Sequence, residues 1–113
     1  MSVANYDLVI DQGSTFVIDL TIKESGSAKN LTGYAARAQM RSTKTSSAVA
    51  ASFTCSIVAP ATNGVVKMEL PATTSSAMTA GVYFYDLEIH TGSDVIVKRL
   101  IEGKVTINQE VTR

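Results

Sequence analysis

Three features of this sequence predict an all-β fold. Short segments alternate apolar and polar residues with the period of two that a half-buried strand requires. Turn-forming Gly, Pro, Asn and Ser residues separate these segments at regular spacing along the chain. Residues 77–113 read as a corner, a long strand, a tight turn and another strand, with Tyr83 where a tyrosine corner would stand. Together these features predict an immunoglobulin-like antiparallel β-sandwich of about seven strands, forming one domain over residues 1–113.

The composition fits one globular domain and narrows the choice of partners. Hydrophobic residues make up 45% of the 113 residues and charged residues 18%, which is typical of a chain that folds around a core. Ten basic and ten acidic side chains cancel, so neither nucleic acid nor an anionic membrane is an expected partner. The sequence shows no apolar run long enough for a bilayer and no secretion signal, so synthesis and folding in a cytoplasm are expected.

The first part of the chain is predicted to hold three strands. Residues 6–10 form a short first strand, which ends at the polar residues 11–14. The second and third strands flank a loop over residues 24–30 that is rich in Ser, Gly, Lys and Asn. Their inward residues are Phe16, Ile18, Leu20 and Ile22, and then Tyr34, Ala36, Ala38 and Met40. The third strand turns Ala35, Arg37, Gln39 and Arg41 to the other side.

The central part is predicted to hold the longest loop, two strands and one helical turn. Residues 42–50 are small and polar and form the loop. The inward residues of the two strands are Phe53, Cys55 and Ile57, and then Val66, Met68 and Leu70. Asn63-Gly64 marks the turn between these strands, and residues 71–81 have room for one helical turn.

The last part is predicted to be a hairpin. One face of its first strand carries Tyr83, Tyr85, Leu87 and Ile89, and the other carries Val82, Phe84, Asp86, Glu88 and His90. A tight turn over residues 91–94 leads to the last strand, which is expected to begin at Asp94. Gly103 is the expected position of a β-bulge in that strand.

No residue pattern in the sequence predicts catalysis. Glycines form no phosphate-binding motif, and no Gly-x-Ser-x-Gly motif occurs. Cys55 alternates with Phe53 and Ile57, which favours a small hydrophobic role over a reactive thiol. The protein is therefore predicted not to be an enzyme and to have no cofactor and no metal site.

A metal-binding or hydrolytic role for His90 is the alternative from a different class. His90 is the only histidine, and it shares a strand face with Asp86 and Glu88. Three such residues at alternate positions are able to supply ligands to one side of a sheet. The same pattern is typical of a solvated outer face, which the sequence favours.

Two groups of residues are candidates for a protein interface. Arg37, Gln39 and Arg41 form a polar row on one strand, and arginine is enriched at protein interfaces. Val82 and Phe84 are apolar residues on a face that otherwise carries acidic side chains. The competing interpretations are a solvated face for the first group and coverage by the chain's own loops for the second.

Four segments carry a resemblance to a known family. DQGSTFVIDLTIK, LTGYAARAQMR, AGVYFYDLEI and RLIEGKVTINQEVTR, in this order, resemble small bacteriophage virion proteins that are encoded among tail and baseplate genes. The pattern is also similar to the immunoglobulin-like N-terminal domain of the upper baseplate proteins of lactococcal siphophages. By this resemblance, Gln12, Gly13 and Phe16 belong to a first corner and residues 31–41 to a central strand. By the same resemblance, a later corner is formed by Gly81, Tyr83, Tyr85 and Asp86.

The resemblance implies a structural role in a virion. The protein is expected to be a binding or adaptor module at the tail or baseplate, made in the host cytoplasm and located in the virion. Its expected partners are other virion proteins of the tail, baseplate or capsid, together with further copies of itself within the particle. The alternative is a capsid-decorating protein with the same fold on the phage head.

Overall fold

The computed structural model describes residues 4–92 and 95–111, and over these residues the chain is almost entirely β-structure. The strands are β1 (Ala4–Asn5), β2 (Leu8–Asp11), β3 (Phe16–Thr21), β4 (Lys23–Glu24), β5 (Ser27–Ala28), β6 (Ala35–Arg41), β7 (Ala51–Ile57), β8 (Val65–Leu70), β9 (Gly81–His90) and β10 (Val97–Asn108). A 3-10 turn (Ala61–Asn63) precedes β8, and a short helix, α1 (Ala72–Ala77), follows β8. The predicted all-β class is confirmed.

Hydrogen bonding joins eight strands into one curled sheet, in the order β1-β10-β9-β6-β7-β8-β3 with β2 also on β10. Strand β7 connects the two parts of this sheet, because its first residues pair with β6 and its last four residues, Thr54 to Ile57, pair with β8. Strands β4 and β5 form a separate small hairpin. Two separate sheets packed as a sandwich remain a prediction.

The sheet is mixed rather than wholly antiparallel, because β1 and β2 both run parallel to β10. These strands come from opposite ends of the sequence, so no hairpin turn constrains them to pair in opposite directions. The predicted first strand, residues 6–10, begins instead at Leu8, and residues 6 and 7 separate β1 from β2. There the Tyr6 N–H donates to the Glu102 carbonyl over 2.9 Å, and Asp7 Oδ1 accepts from the Lys104 N–H over 2.9 Å.

The predicted inward residues line the core. The largest fully buried side chains are Ile10, Leu31, Met40, Val66, Met68, Leu70, Leu87, Ile89, Val105 and Ile107. The Phe53 ring lies between the rings of Phe16 and Tyr85, with centroid distances of 6.2 and 6.1 Å. Because side chains alternate along each strand, this buried layer fixes which residues face outward.

Helix α1 and the corner between β2 and β3 are joined by polar side chains. Ser75 is fully buried, and its Oγ accepts from the Gly13 N–H over 3.1 Å and donates to the Ser14 carbonyl over 2.8 Å. The Gln12 side chain donates to the Met78 carbonyl over 2.8 Å and accepts from the Glu110 N–H over 3.0 Å. The Gln-Gly pair of the first corner therefore ties together the corner, the end of α1 and the C-terminal segment.

The later corner has the hydrogen bond that defines a tyrosine corner. The Tyr83 hydroxyl donates to the carbonyl of Thr79, four residues earlier, over 2.6 Å. Strand β10 begins at Val97 rather than at Asp94, and Ser93 and Asp94 of the predicted turn lie outside the described residues.

The bulge of β10 lies at Leu100 and not at Gly103, as the pairing with β9 shifts between Arg99 and Ile101. Gly103 stays in register opposite Tyr85. A Cβ at this position would lie 2.4 Å from the Tyr6 carbonyl oxygen, so Gly103 permits a close approach of two backbones.

Candidate interaction surface

The outer face of β6, β9 and β10 is a ladder of charged residues. Arg37, Glu88 and Arg99 lie opposite one another across the three strands and form one rung. In the next rung, Asp86 of β9 lies between Gln39 and Glu102. A third rung places Phe84 between Arg41 and Lys104. This face contains a hollow of about 330 Å³, which we call the charged trough. Its lining includes Arg37, Gln39, Arg41, Lys44, Phe84, Asp86, Glu88, Arg99 and Glu102.

The bulge in β10 creates the acidic centre of the charged trough. Leu100 and Ile101 are both buried, so Arg99 before them and Glu102 after them both face outward. A bulged strand changes the alternation of its side chains in this way. If Leu100 were paired regularly instead of bulged, Ile101 rather than Glu102 would share the outer face with Arg99. The bulge therefore aligns Glu102 with Asp86.

Ion pairs connect the strands across the trough. The Arg37 Nε donates to the Glu88 carboxylate. Arg99 Nη1 lies 3.9 Å from an oxygen of Asp86 and also 3.9 Å from an oxygen of Glu102. These pairs are partly exposed to solvent, so each contributes little to folding stability, about 1 kcal/mol or less.

The carboxyl group of Asp86 lies at the centre of the trough and has a raised pKa. Burial raises the pKa of this carboxyl above its usual range, and the charge of Glu88 raises the pKa further. Arg99 opposes the shift, Glu102 adds to it, and Arg41 opposes it weakly. Asp86 is thus a carboxylate whose own domain supplies too little positive charge to offset its burial and its acidic neighbours.

The loop between β6 and β7 forms a wall of the trough. Arg41 holds this loop, because its Nη1 donates to the Ser46 carbonyl over 3.0 Å while its Nη2 donates to Gln39 Oε1 over 3.1 Å. Lys44, in the same loop, lies 3.5 Å from the Glu102 carboxylate and 5.9 Å from the centre of the Phe84 ring. The trough is therefore concave and amphipathic, with a basic rim.

The structure brings most of the sequence-predicted interface residues together. Arg37, Gln39, Arg41 and Phe84 all line the trough. Phe84 is half-buried, partly beneath Lys44, as expected if a loop of the chain covers it.

Val82 lies at one end of the same face, outside the trough, and is 53% exposed. Its neighbour across the strand is Thr106, and Thr106 also lies opposite Val9, which is 62% exposed. Val82 is thus a member of a small separate apolar patch, and no loop covers it to the extent that Phe84 is covered.

Sequence reasoning missed Lys44, Arg99 and Glu102. Arg99 and Glu102 reach the trough through the pairing of β9 with β10 and through the bulge at Leu100. Leu100 is neither Gly nor Pro, so the sequence does not indicate the position of this bulge. Asp86 and Glu88 were expected on this face as solvated residues, with a metal site as the alternative, and not as partners of arginines. The hairpin pattern of residues 81–108 was the available signal for Arg99.

The metal-site alternative does not match the arrangement of side chains. His90 lies beyond Glu88 in the ladder, opposite Ala35 and Val97, with its Nδ1 3.4 Å from the Thr91 carbonyl. Within residues 4–92 and 95–111, no group of three His, Cys, Asp or Glu side chains is placed to hold a metal ion. In the same ranges no helix is long and apolar enough to cross a membrane.

Cys55 has the environment that its alternation predicted. It is half-buried against the core, and burial raises the pKa of its thiol to about 11. A thiol with so high a pKa is mostly protonated at neutral pH and is a poor nucleophile.

No protein-family model matches the chain, and no curated protein matches it. Among solved structures, InlP of Listeria monocytogenes is similar, with a TM-score of 0.49 and 17% identity over 94% of this chain. A family 123 glycoside hydrolase from Clostridium perfringens is also similar, with a TM-score of 0.42 and 10% identity over 100% of this chain. The chain spans 28% and 24% of the lengths of these two proteins. Neither is a phage baseplate protein, and similarity at this level carries no argument about function.

Proposed function

We propose that this protein is a binding module of a bacteriophage virion, assembled at the tail or baseplate and acting without catalysis. The charged trough is the observation that carries the binding role. The placement in a virion is supported by the resemblance of the sequence segments to small phage virion proteins.

The side chains of the trough suit recognition of another protein. Arg37 and Arg41 are held by their own contacts, so a partner meets guanidinium groups that are already oriented. Orienting a side chain in advance reduces the entropy lost on binding. Planar guanidinium groups also pair with carboxylates through two parallel hydrogen bonds, which gives an interface geometric specificity.

The overall charge suits repeated assembly. Ten basic and ten acidic residues give the chain no net charge, so identical copies repel one another little when they are packed closely. A particle that presents many equivalent sites gains avidity even where a single contact is weak. A copy-repeated adaptor is therefore compatible with a modest interface on each copy.

The test is quantitative mass spectrometry of purified phage particles after heads and tails have been separated. A low copy number in the tail fraction supports the adaptor at the tail or baseplate. A high copy number that follows the major capsid protein supports the alternative of a capsid-decorating protein. Absence of the chain from both fractions would refute a virion role.

A further inference from the structure

We propose that the charged trough docks a different protein, not a second copy of this chain, through an extended segment that places one basic side chain between two acidic ones. The proposal rests on the proposed binding function and specifies its partner. It follows from the order of charges across the three strands and from the shape of the trough.

Charges alternate in sign across one rung of the trough and are acidic at the centre of the next. The rung of Arg37, Glu88 and Arg99 reads basic, acidic, basic from β6 to β10. The next rung has its acidic residues, Asp86 and Glu102, at the centre and on the β10 side. The surface complementary to the first rung is therefore acidic at its edges and basic at its centre, and Asp86 in the second rung also favours a basic centre, because complementary potentials favour association and like charges oppose it.

A second copy does not supply this order when two troughs are centred on each other. A two-fold axis along β9 would place Arg37 of one copy over Arg99 of the other, and Asp86 over Asp86. A two-fold axis across the strands, through the rung of Asp86, would place Arg37 over Arg41. Both symmetric arrangements bring like charges together, so charge favours a different protein as the partner.

The centre of the trough is suited to a single cationic side chain. Asp86 lies opposite Glu102, and the only opposing charge that lies within 4 Å of Asp86 among the described residues is Arg99, at 3.9 Å. The Phe84 ring lies next to Asp86 on the same face of β9, two residues along the strand. A guanidinium or ammonium group placed here would pair with a carboxylate and contact an aromatic ring. The hollow of about 330 Å³ has room for one such side chain.

The rim supplies positions for acidic residues of the partner. The Arg37 side chain, on the β6 side of the trough, is 43% exposed, and the Arg99 side chain, on the β10 side, is 54% exposed. In an extended segment, residues at alternate positions point to the same face and are about 6.6 Å apart. A segment with the order acidic, any, basic, any, acidic therefore has its two acidic residues far enough apart to reach Arg37 and Arg99 on either side of a central basic residue.

The experiment places a photo-reactive benzoylphenylalanine at Phe84 in protein made in phage-infected cells, with the same residue at Val17 as the control. Val17 is on the outer side of β3 and is 48% exposed. After irradiation, mass spectrometry identifies the cross-linked peptide. A second protein carries both the label at Phe84 and Asp86→Lys, which puts a positive charge where the partner's basic side chain is proposed to bind. Asp19→Lys on β3, combined with the same label, is the control for the change in charge.

The expected result is an adduct at Phe84, and not at Val17, with a segment of another protein in which a Lys or Arg stands between acidic residues. Asp86→Lys should lower the adduct yield at least about tenfold, and Asp19→Lys should leave it unchanged. Replacing the partner's basic residue by Asp should restore the yield in the Asp86→Lys background, which separates a charge effect from misfolding.

An adduct with a second copy of this chain, an adduct with a segment that has no basic residue, or no adduct at Phe84 would overturn the proposal. So would a yield that Asp86→Lys does not change. If the expected adduct is found but this chain is absent from purified particles, the virion role fails while this docking site stands. If the chain is present in particles but one of the contrary results is obtained, the docking site fails alone.

Discussion

Asp86 and Glu102 lie directly opposite each other on the antiparallel strands β9 and β10, with both side chains on the outer face of the sheet. Like charges in this position reduce the stability of a sheet. Arg99 lies 3.9 Å from an oxygen of each carboxylate and offsets part of the repulsion. The domain thus keeps an unfavourable pair at the centre of its proposed binding site, and binding sites are commonly less stable than they could be.

Removing one charge of this pair should stabilise the isolated protein. We expect Asp86→Asn to raise the free energy of unfolding by about 0.5 kcal/mol or less, because the pair is partly exposed and screened by solvent. Urea unfolding followed by circular dichroism measures the change. Asp19→Asn is the control, since Asp19 lies opposite Lys67, an opposite charge, and its loss should not stabilise the protein. A loss of stability in Asp86→Asn would contradict the expectation.

The same carboxylate should make stability depend on pH. The pKa of Asp86 is raised in the folded protein, so the folded state keeps this proton to a higher pH than the unfolded chain does. The contribution of Asp86 to stability therefore decreases as the pH rises from the ordinary value of 3.8 through the folded-state pKa.

This dependence is measured as the difference in unfolding free energy between Asp86→Asn and the wild type, from about pH 3 to about pH 7. The advantage of the variant should grow with pH across this window and vanish at its acidic end. Arg99→Gln should raise the pKa of Asp86 further, because Arg99 is the main group that lowers it. A carboxyl-detected NMR titration in which the pKa fell in this variant would disprove the role of Arg99.

Much of the fold could be predicted because its signals are local. Alternation of apolar residues identified the buried faces of β3, β6, β7, β8 and β9, and the spacing of Pro71 and Gly81 left room for α1. The parallel pairing of β1 and β2 with β10 joins the two ends of the chain. No local pattern encodes such a pairing, since it depends on which edge remains open after the other strands have paired.

The site was predictable only in part for a related reason. Arg37, Gln39 and Arg41 face outward by simple alternation, so their row is visible in the sequence. The position of Glu102 depends on the bulge at Leu100, where two apolar residues follow each other without a glycine. Gly103 gave a misleading signal for the bulge, because its small size serves the contact with Tyr6 instead.

The buried hydroxyl of Ser75 should matter more to stability than that of its neighbour Ser76. Ser75→Ala leaves the Gly13 N–H and the Ser14 carbonyl without this buried partner, and we expect a loss of about 1–3 kcal/mol. Ser76 is exposed, and its hydroxyl donates to the Thr73 carbonyl within the same helix. Ser76→Ala should therefore change stability by about 0.5 kcal/mol or less. Thermal unfolding of both variants measures the difference, and equal effects would refute the role of Ser75 in holding α1 to the first corner.

The Cys55 thiol should react slowly with alkylating reagents in the folded protein. Its pKa of about 11 leaves far less thiolate at neutral pH than an ordinary cysteine has. We expect alkylation by iodoacetamide to be roughly a hundredfold slower than in the urea-unfolded chain, as followed by intact-protein mass spectrometry. Similar rates in the two states would show that the thiol is not protected by its place beside the core.

Glycine should be required at position 103, because the backbone of Tyr6 packs directly against it. In Gly103→Ala the new Cβ would lie 2.4 Å from the Tyr6 carbonyl oxygen and 2.9 Å from Asp7 Oδ1, so the segment between β1 and β2 must move. We expect a loss of about 2 kcal/mol or more, because a backbone atom cannot give way as a flexible side chain can. Gly92→Ala is the matched control, since a Cβ there meets no atom of residues 4–92 and 95–111 within 4 Å and should cost little. Urea unfolding compares the two variants, and hydrogen exchange at the Tyr6 and Lys104 amides should be faster in Gly103→Ala alone, because both amides bond across this contact.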